Sequence, residues 1–412
     1  MLDLEEGRGS AIELPYLTAT AALAAVAPAV GDDSADMGRG VLFAAGKRAC
    51  VISAENATST ITVRAPIAAR SRGSADELRL LFDYPFLKGA IAAAVKGTHA
   101  QKRGPFVVAL GLEPDGPLLT LNGWTVPVVG SELQLPADAQ EPEEPLPVVA
   151  DVACADFMAA VTRAAAATTT KVATMPHLRC VLVELTDGWI TFAGSDRFRL
   201  AAERVRATCV GDARRLPLKV FVDGATLAAV AKQFAAERVT IGWAQGPMGV
   251  VLSFTCGDVS LRTRELKGTF FDVRGLVTAP GTARVRVDRG LLAQVAQCAA
   301  AFGSTEGRDV IVTFDRETVT VRPALRARLA AVSAPVLRAE TRGLAGPLEV
   351  WFDGPRFAAA VEAVGTDKVV LYPAAGPTRT IVTADGDGSA VRCALSPRRS
   401  RQETTGAVAS AA

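Results

Sequence analysis

The chain has 412 residues, 49% hydrophobic and 21% charged, a globular composition long enough for about two to four domains. Lys and Arg total 45 against 43 Asp and Glu, a net charge of +2, so the total does not announce nucleic acid and any such contact must come from local clustering. No apolar run reaches the roughly 18 residues of a membrane span, and the acidic start MLDLEEGRGS lacks a basic-then-apolar leader, so a cytoplasmic protein without membrane association is expected.

The first element is the Ala-rich helix LTATAALAAV (17–26). The hairpin VLFAAGKRACVISA follows, turning at Gly46-Lys47. In LFDYPFLKGAIAAAV (81–95), Asp83 precedes an apolar-periodic run, and its carboxylate can accept from the helix's orphan N–H groups. An apolar strand near Phe106 to Leu112 comes next, then the Pro- and acid-rich linker LPADAQEPEEPLP (135–147).

The series then resumes. VACADFMAAV (152–161) is a helix, and CVLVELTDGWITFAG turns at Asp187-Gly188, a strong hairpin signal. VFVDGATLAAVAKQF (220–234) carries Asp223, and MGVVLSFTCGDVSLRTREL (248–266) turns at Gly257-Asp258. After a short linker, LVTAPGTA (276–283), come the helix VDRGLLAQVA (287–296) and DVIVTFDRETVTV, which alternates at Val310, Val312 and Phe314. VWFDGPRFAAAVEAV (350–364) carries Asp353, and the small, polar tail SRQETTGAVASAA (400–412) is expected to be disordered.

Two helix series therefore repeat. Asp83, Asp223 and Asp353 lie 140 and 130 residues apart, and Val26, Val161 and Val295 lie 135 and 134 apart. The shared period predicts three homologous α+β domains, 1–140, 147–277 and 281–399, with helices on one face of antiparallel sheets. The seven cysteines are scattered, form no C-x-x-C, and have only His99 and His177 for company, so buried thiols and no metal are expected. No P-loop, dinucleotide fingerprint, H-E-x-x-H or G-x-S-x-G occurs, and no spacing singles out a carboxylate pair. A non-catalytic protein with no cofactor is expected.

GSDRFRLAAERV (194–205) sets Asp196, Arg197 and Arg199 around Phe198. Taken alone it is a solvated edge strand with Phe198 and Leu200 in the core. After an Asp-Gly hairpin, amid three repeats, SDRFRLA resembles the bacterial sliding clamp family, the β subunit of DNA polymerase III. MPHLRCVLVEL, LKGTFFDVRGLV (266–277) and CALSPRR (393–399) resemble further family segments, and the likeness spans roughly residues 12 to 399.

That resemblance implies a head-to-tail homodimer ring of six domains around double-stranded DNA, holding DNA polymerase and other clamp-binding-motif proteins at high effective concentration and placed by a clamp loader. It implies a partner-peptide pocket at Leu178, Ser195, Phe198, Arg199, Leu200, Ser396, Pro397 and Arg398, with Arg199 either pairing Asp196 or holding a backbone carbonyl. Ser396 stands where the family commonly has Met, and Arg398 replaces an apolar residue, so altered or weaker binding of ordinary polymerase motifs is expected.

For DNA, the basic residues on or beside the helices are Lys88, Lys96, Lys102, Arg103, Arg163, Lys171, Lys232 and Arg356. VKGTHAQKRG (95–104) is the densest cluster, and reads equally as a solvated turn. The first helix has no basic residue, and Gly224 and Ala225 stand where the family often has a basic pair, so a weak, salt-sensitive grip is expected. The subunit interface would use Trp124 and Val126 against Ala301 and Phe302, although Trp124 also reads as core. The alternative function is a clamp-fold paralog specialised for repair, resistance or regulation.

Overall fold

The structure is a computed structural model that describes residues 10–31, 39–45, 49–67, 79–96, 107–113, 116–121, 124–127, 144–169, 175–210, 218–247, 249–269, 272–278, 282–303, 307–325, 333–374, 378–385 and 391–398. The expected turn at Gly46-Lys47, most of the first linker, residues 279–281 of the second and the tail lie outside them.

The chain begins with Ser10–Pro15 (β1), Tyr16–Val26 (α1), Gly40–Ala45 (β2), Ala49–Glu55 (β3), Ser59–Pro66 (β4) and Arg79–Asp83 (β5). Tyr84–Lys96 (α2), Val107–Glu113 (β6), Gly116–Leu121 (β7) and Trp124–Pro127 (β8) complete the first series. The same order returns as Val148–Ala153 (β9), Cys154–Ala166 (α3), Cys180–Thr186 (β10), Trp189–Ser195 (β11), Arg199–Cys209 (β12) and Lys219–Asp223 (β13). It continues with Gly224–Ala231 (α4), Arg238–Gly246 (β14), Gly249–Cys256 (β15) and Val259–Arg264 (β16). After the short helix Val273–Leu276 (α5) come Arg284–Asp288 (β17), Arg289–Phe302 (α6), Asp309–Phe314 (β18), Thr318–Pro323 (β19), Val336–Arg342 (β20) and Leu348–Asp353 (β21). Gly354–Glu362 (α7), Lys368–Tyr372 (β22), Thr380–Ala384 (β23) and Val391–Leu395 (β24) end the described chain.

Strand pairing repeats every eight strands, and every pairing is antiparallel. One ladder runs β1-β6-β7-β8, then recurs as β9-β14-β15-β16 and β17-β22-β23-β24. The other runs β5-β2-β3-β4, then β13-β10-β11-β12 and β21-β18-β19-β20. Ladders join through their last strands: β4 pairs β16 from Ser59↔Thr263 to Val63↔Val259, and β12 pairs β24 from Arg199↔Leu395 to Glu203↔Val391.

Contacts divide the chain into two compact units, Met1–Met158 with Ala207–Leu216 and Ala225–Leu266, and Ala159–Arg206 with Pro217–Gly224 and Lys267–Ala412. Segment 147–277 thus contributes to both. In the first unit Phe157 packs Phe254 and Phe234 with ring centroids 5.5 and 5.8 Å apart. In the second, Phe352 stacks on Phe357 at 5.0 Å, within a buried cluster that includes Val310, Val312, Phe314 and Val361.

Local chemistry explains the repeated starts. Asp83 Oδ1 accepts from the Phe86 amide at 2.8 Å, and Asp353 Oδ1 from the Arg356 amide at 3.1 Å, so both aspartates cap their helices as expected. Arg179 holds Asp223 at 2.7 Å, and Arg39 lies 3.5 Å from Asp83. Asp187 and Gly188 take φ of 52° and 77°, the left-handed pair that a two-residue hairpin turn requires. All seven cysteines are free. Burial pushes the Cys50 and Cys393 thiols up to about 12 and is the main cause that raises Cys154 and Cys180 to about 11.

Gly194 in β11 faces the end of α3 so closely that a Cβ there would sit 2.0 Å from the Ala164 carbonyl oxygen. Gly194→Ala must push strand from helix backbone, and a loss of about 1–3 kcal/mol is expected in urea unfolding.

Candidate functional site

The site grows from the turn joining β11 to β12. Asp196 Oδ1 accepts from the amides of Phe198 and Arg199, each at 3.0 Å, closing an Asx turn. Ser195 Oγ accepts from the Arg197 amide at 3.2 Å and donates to the Arg199 carbonyl at 2.8 Å, while Arg197 takes φ 79°. The charged run is therefore the scaffold of a turn, not an edge: β12 is paired on both sides, by β11 and by β24. Leu200 is buried as expected, but Phe198 points outward and is 51% exposed.

Beside Phe198 lies a small cleft lined by Phe352, Asp353, Arg356, Leu395, Ser396 and Arg398, with a free volume of about 10 Å³, room for one water. Its apolar floor is Phe198, Phe352 and Leu395. The chain beyond β24 forms one wall, tied by the Ser396 amide to the Phe198 carbonyl and by the Arg398 amide to the Trp351 carbonyl, both at 2.8 Å.

Charge crosses this cleft in sequence. Arg356 Nε meets Asp196 Oδ2 at 2.8 Å, and its Nη1 meets Asp353 Oδ2 at 2.8 Å. Arg398 meets Asp353 at 2.9 Å and Asp309 at 3.0 Å. The Arg356 guanidinium also lies 4.7 Å from the centroid of the Phe198 ring, a cation–π contact. Burial alone would lower the Arg356 pKa; hydrogen bonding and charge from Asp196, then Asp353, outweigh it and hold the group above its usual value. Arg199 does both things open to it, lying 3.4 Å from Asp196 and donating to the Ala166 carbonyl.

Of the eight expected pocket residues, Phe198, Ser396 and Arg398 line the cleft. Leu178, Ser195 and Leu200 are buried, Arg199 fastens the turn, and Pro397 sits half-buried between two lining residues. Phe352, Asp353 and Leu395 were not foreseen. Asp353 both caps α7 and lines the cleft.

The expected DNA-facing residues divide. Lys88 and Lys232 are exposed, Lys88 with its ammonium 5.5 Å from the Tyr84 ring centroid. Arg163 is not a solvent-facing cation: its Nη1 donates to both oxygens of buried Glu203, at 2.7 and 2.6 Å. Arg356 belongs to the cleft. Lys96 lies in α2, and Lys102, Arg103 and Lys171 lie outside the described residues. At the expected interface, Trp124 and Val126 fall on β8, while Ala301 and Phe302 end α6, with Phe302 73% exposed.

A second, open cleft of about 550 Å³ is bounded by Arg286, Gly365, Thr366, Asp367, Lys368 and Asp385. Arg286 pairs with Asp385 at 2.6 Å and with Glu340 at 2.8 Å, so its charges are internally matched and no apolar floor is offered. Among the described residues no cluster of three metal-ligating side chains occurs, and no helix is long and apolar enough to cross a membrane.

The sequence matches no protein-family model and no curated protein. Solved structures do match. The DNA polymerase III subunit beta sliding clamp of Pseudomonas aeruginosa superposes with a TM-score of 0.77 at 15% identity, covering 95% of this chain and 100% of that one. The DNA polymerase III beta subunit of Thermotoga maritima gives 0.76 at 14% identity, and the sliding clamp of Bacillus subtilis 0.75 at 13%, with the same coverage. The fold is that of the bacterial sliding clamps. The α+β class, the antiparallel sheets and the clamp-type architecture expected from the sequence are all present, and within this clamp fold the cleft at Phe198 is built by the turn that carries SDRFRLA.

Proposed function

We propose that the chain is a DNA sliding clamp: a non-catalytic, cytoplasmic processivity factor of three domains, 1–140, 147–277 and 281–399, that closes as a head-to-tail homodimer around double-stranded DNA. Polymerase and other motif-bearing partners dock at the Phe198 cleft, and a clamp loader opens the ring.

The observation that carries this reading is the repeated strand order and its unused ends. Last strands join ladder to ladder twice, β4 to β16 and β12 to β24. By the same rule β8 and β20 are the remaining last strands. Among the described residues β8 pairs only with β7, and β20 only with β19 and β17. Pairing β20 of one chain with β8 of a second repeats the joint and closes a ring without a new kind of contact. Val336, 63% accessible, opens β20, and Phe302, 73% accessible, ends α6; both suit an apolar interface. A closed ring needs no tight base contact, which agrees with a net charge of only +2 and with Arg163 and Arg356 neutralised within the chain.

Loaded on nicked circular DNA, the protein should remain bound through gel filtration and be lost once the DNA is linearised. Equal retention on circular and linear DNA, or none on either, contradicts the clamp. A specialised paralog is the second reading, favoured by the cleft itself: with about 10 Å³ of free space and Arg398 across it, it is not open to an ordinary aliphatic anchor.

A further inference from the structure

The inference here rests on the reading of the Phe198 cleft as a docking site and concerns what docks there. Arg398 is the most accessible charged member of the cleft: its side chain is 44% exposed, against 29% for Arg356. Arg356 is fixed three ways, by Asp196, by Asp353 and by the Phe198 ring. Arg398 hangs on a short extension past β24, held by two backbone hydrogen bonds. Its guanidinium bridges Asp309 and Asp353, whose side chains are only 13% and 20% exposed.

An incoming side chain must displace something, because the free volume is that of a single water. Displacing Arg356 breaks a helix-anchored network. Displacing Arg398 with an aliphatic anchor leaves two poorly solvated carboxylates without that counter-charge, a loss that no apolar contact in so small a space offsets. An acidic anchor adds repulsion. A guanidinium or ammonium carried by the partner replaces Arg398 charge for charge, while its methylene stem lies on Phe352 and Leu395.

We propose that Arg398 is a built-in plug mimicking the ligand, and that the cleft selects a partner segment whose anchor is arginine or lysine beside an aromatic or aliphatic residue. The partner is thus a basic-apolar linear motif, and binding exchanges one cation for another between Asp309 and Asp353.

The test compares three short fluorescent peptides, identical except for an Arg, Leu or Glu anchor beside Leu-Phe, by anisotropy against the full chain and its variants. The Arg peptide should bind about tenfold tighter than the other two. Arg398→Ala should tighten the Arg peptide by about another tenfold, Arg398→Lys should behave as the parent chain, and Asp309→Asn added to Arg398→Ala should cancel the gain. A Leu peptide that binds as tightly as the Arg peptide, or Arg398→Ala without effect on either, overturns the plug while leaving the docking cleft standing. If none of the peptides binds although the chain is retained on circular DNA, the cleft proposal fails and the clamp reading survives; loss of both overturns both.

Discussion

Arg163→Ala is expected to cost about 3–5 kcal/mol of stability. The physical basis is the depth of its partner. The Glu203 side chain is 11% exposed, lies in the middle of β12, and receives two hydrogen bonds from one guanidinium nitrogen. Residue 203 pairs directly with Val391, so a carboxylate deprived of the Arg163 guanidinium would sit at the joint between β12 and β24. Replacing both partners with apolar residues of similar volume, Arg163→Met with Glu203→Leu, should recover most of the loss, because no buried charge is then left unmatched. Urea unfolding of the three proteins checks both statements. A single variant as stable as the parent contradicts them, as does a double variant weaker than the single one. In either protein the capacity to bind DNA should change little, since Arg163 spends its charge internally.

Phe302→Asp is expected to convert the proposed dimer to a monomer at micromolar concentration. An apolar ring with 73% of its surface exposed ends α6, and in the proposed ring it meets the second chain. Placing a carboxylate there buries an unpaired charge in the proposed joint, and a loss of about 2–4 kcal/mol, roughly 30- to 1,000-fold in dissociation constant, follows from the energetics of central interface aromatics. Light scattering reads the oligomeric state, and retention on circular DNA should fall with it. A variant that stays dimeric would move the interface away from α6. Phe302→Leu, which keeps the apolar contact, should remain dimeric and separates this effect from misfolding.

Much of the architecture was legible because it is written locally. The N-cap aspartates at 83 and 353, the Asp187-Gly188 turn and the Ala-rich helices announce themselves within ten or so residues, and each is where the pattern places it. The repeat was legible because it is the same local text three times. The cleft was only partly so. Phe198 stood out by its neighbours, but Phe352 and Leu395 reach it from strands more than 150 residues further along, and no local rule states which ladder end meets which. The partners of Arg356 were hidden for the same reason. On helix α7 it has the look of a solvent-facing cation; its local partner Asp353 reads as a helix cap, and its second partner, Asp196, stands 160 residues earlier.

The manner in which the ladders join has a consequence for how such a chain varies. The β4–β16 and β12–β24 joints are made by main-chain N–H and C=O groups, which nearly every amino acid carries in identical form. Apart from the ion-paired Glu203, the side chains buried along them are mostly small or apolar: Ala201, Ala394 and Cys393 at one joint, Ile61 and Leu261 at the other. Away from Glu203, such seams accept many substitutions that respect alternation, so shape persists while spelling drifts. This accounts for a backbone that overlays distant proteins along 95% of its length while sharing only about one residue in seven with them.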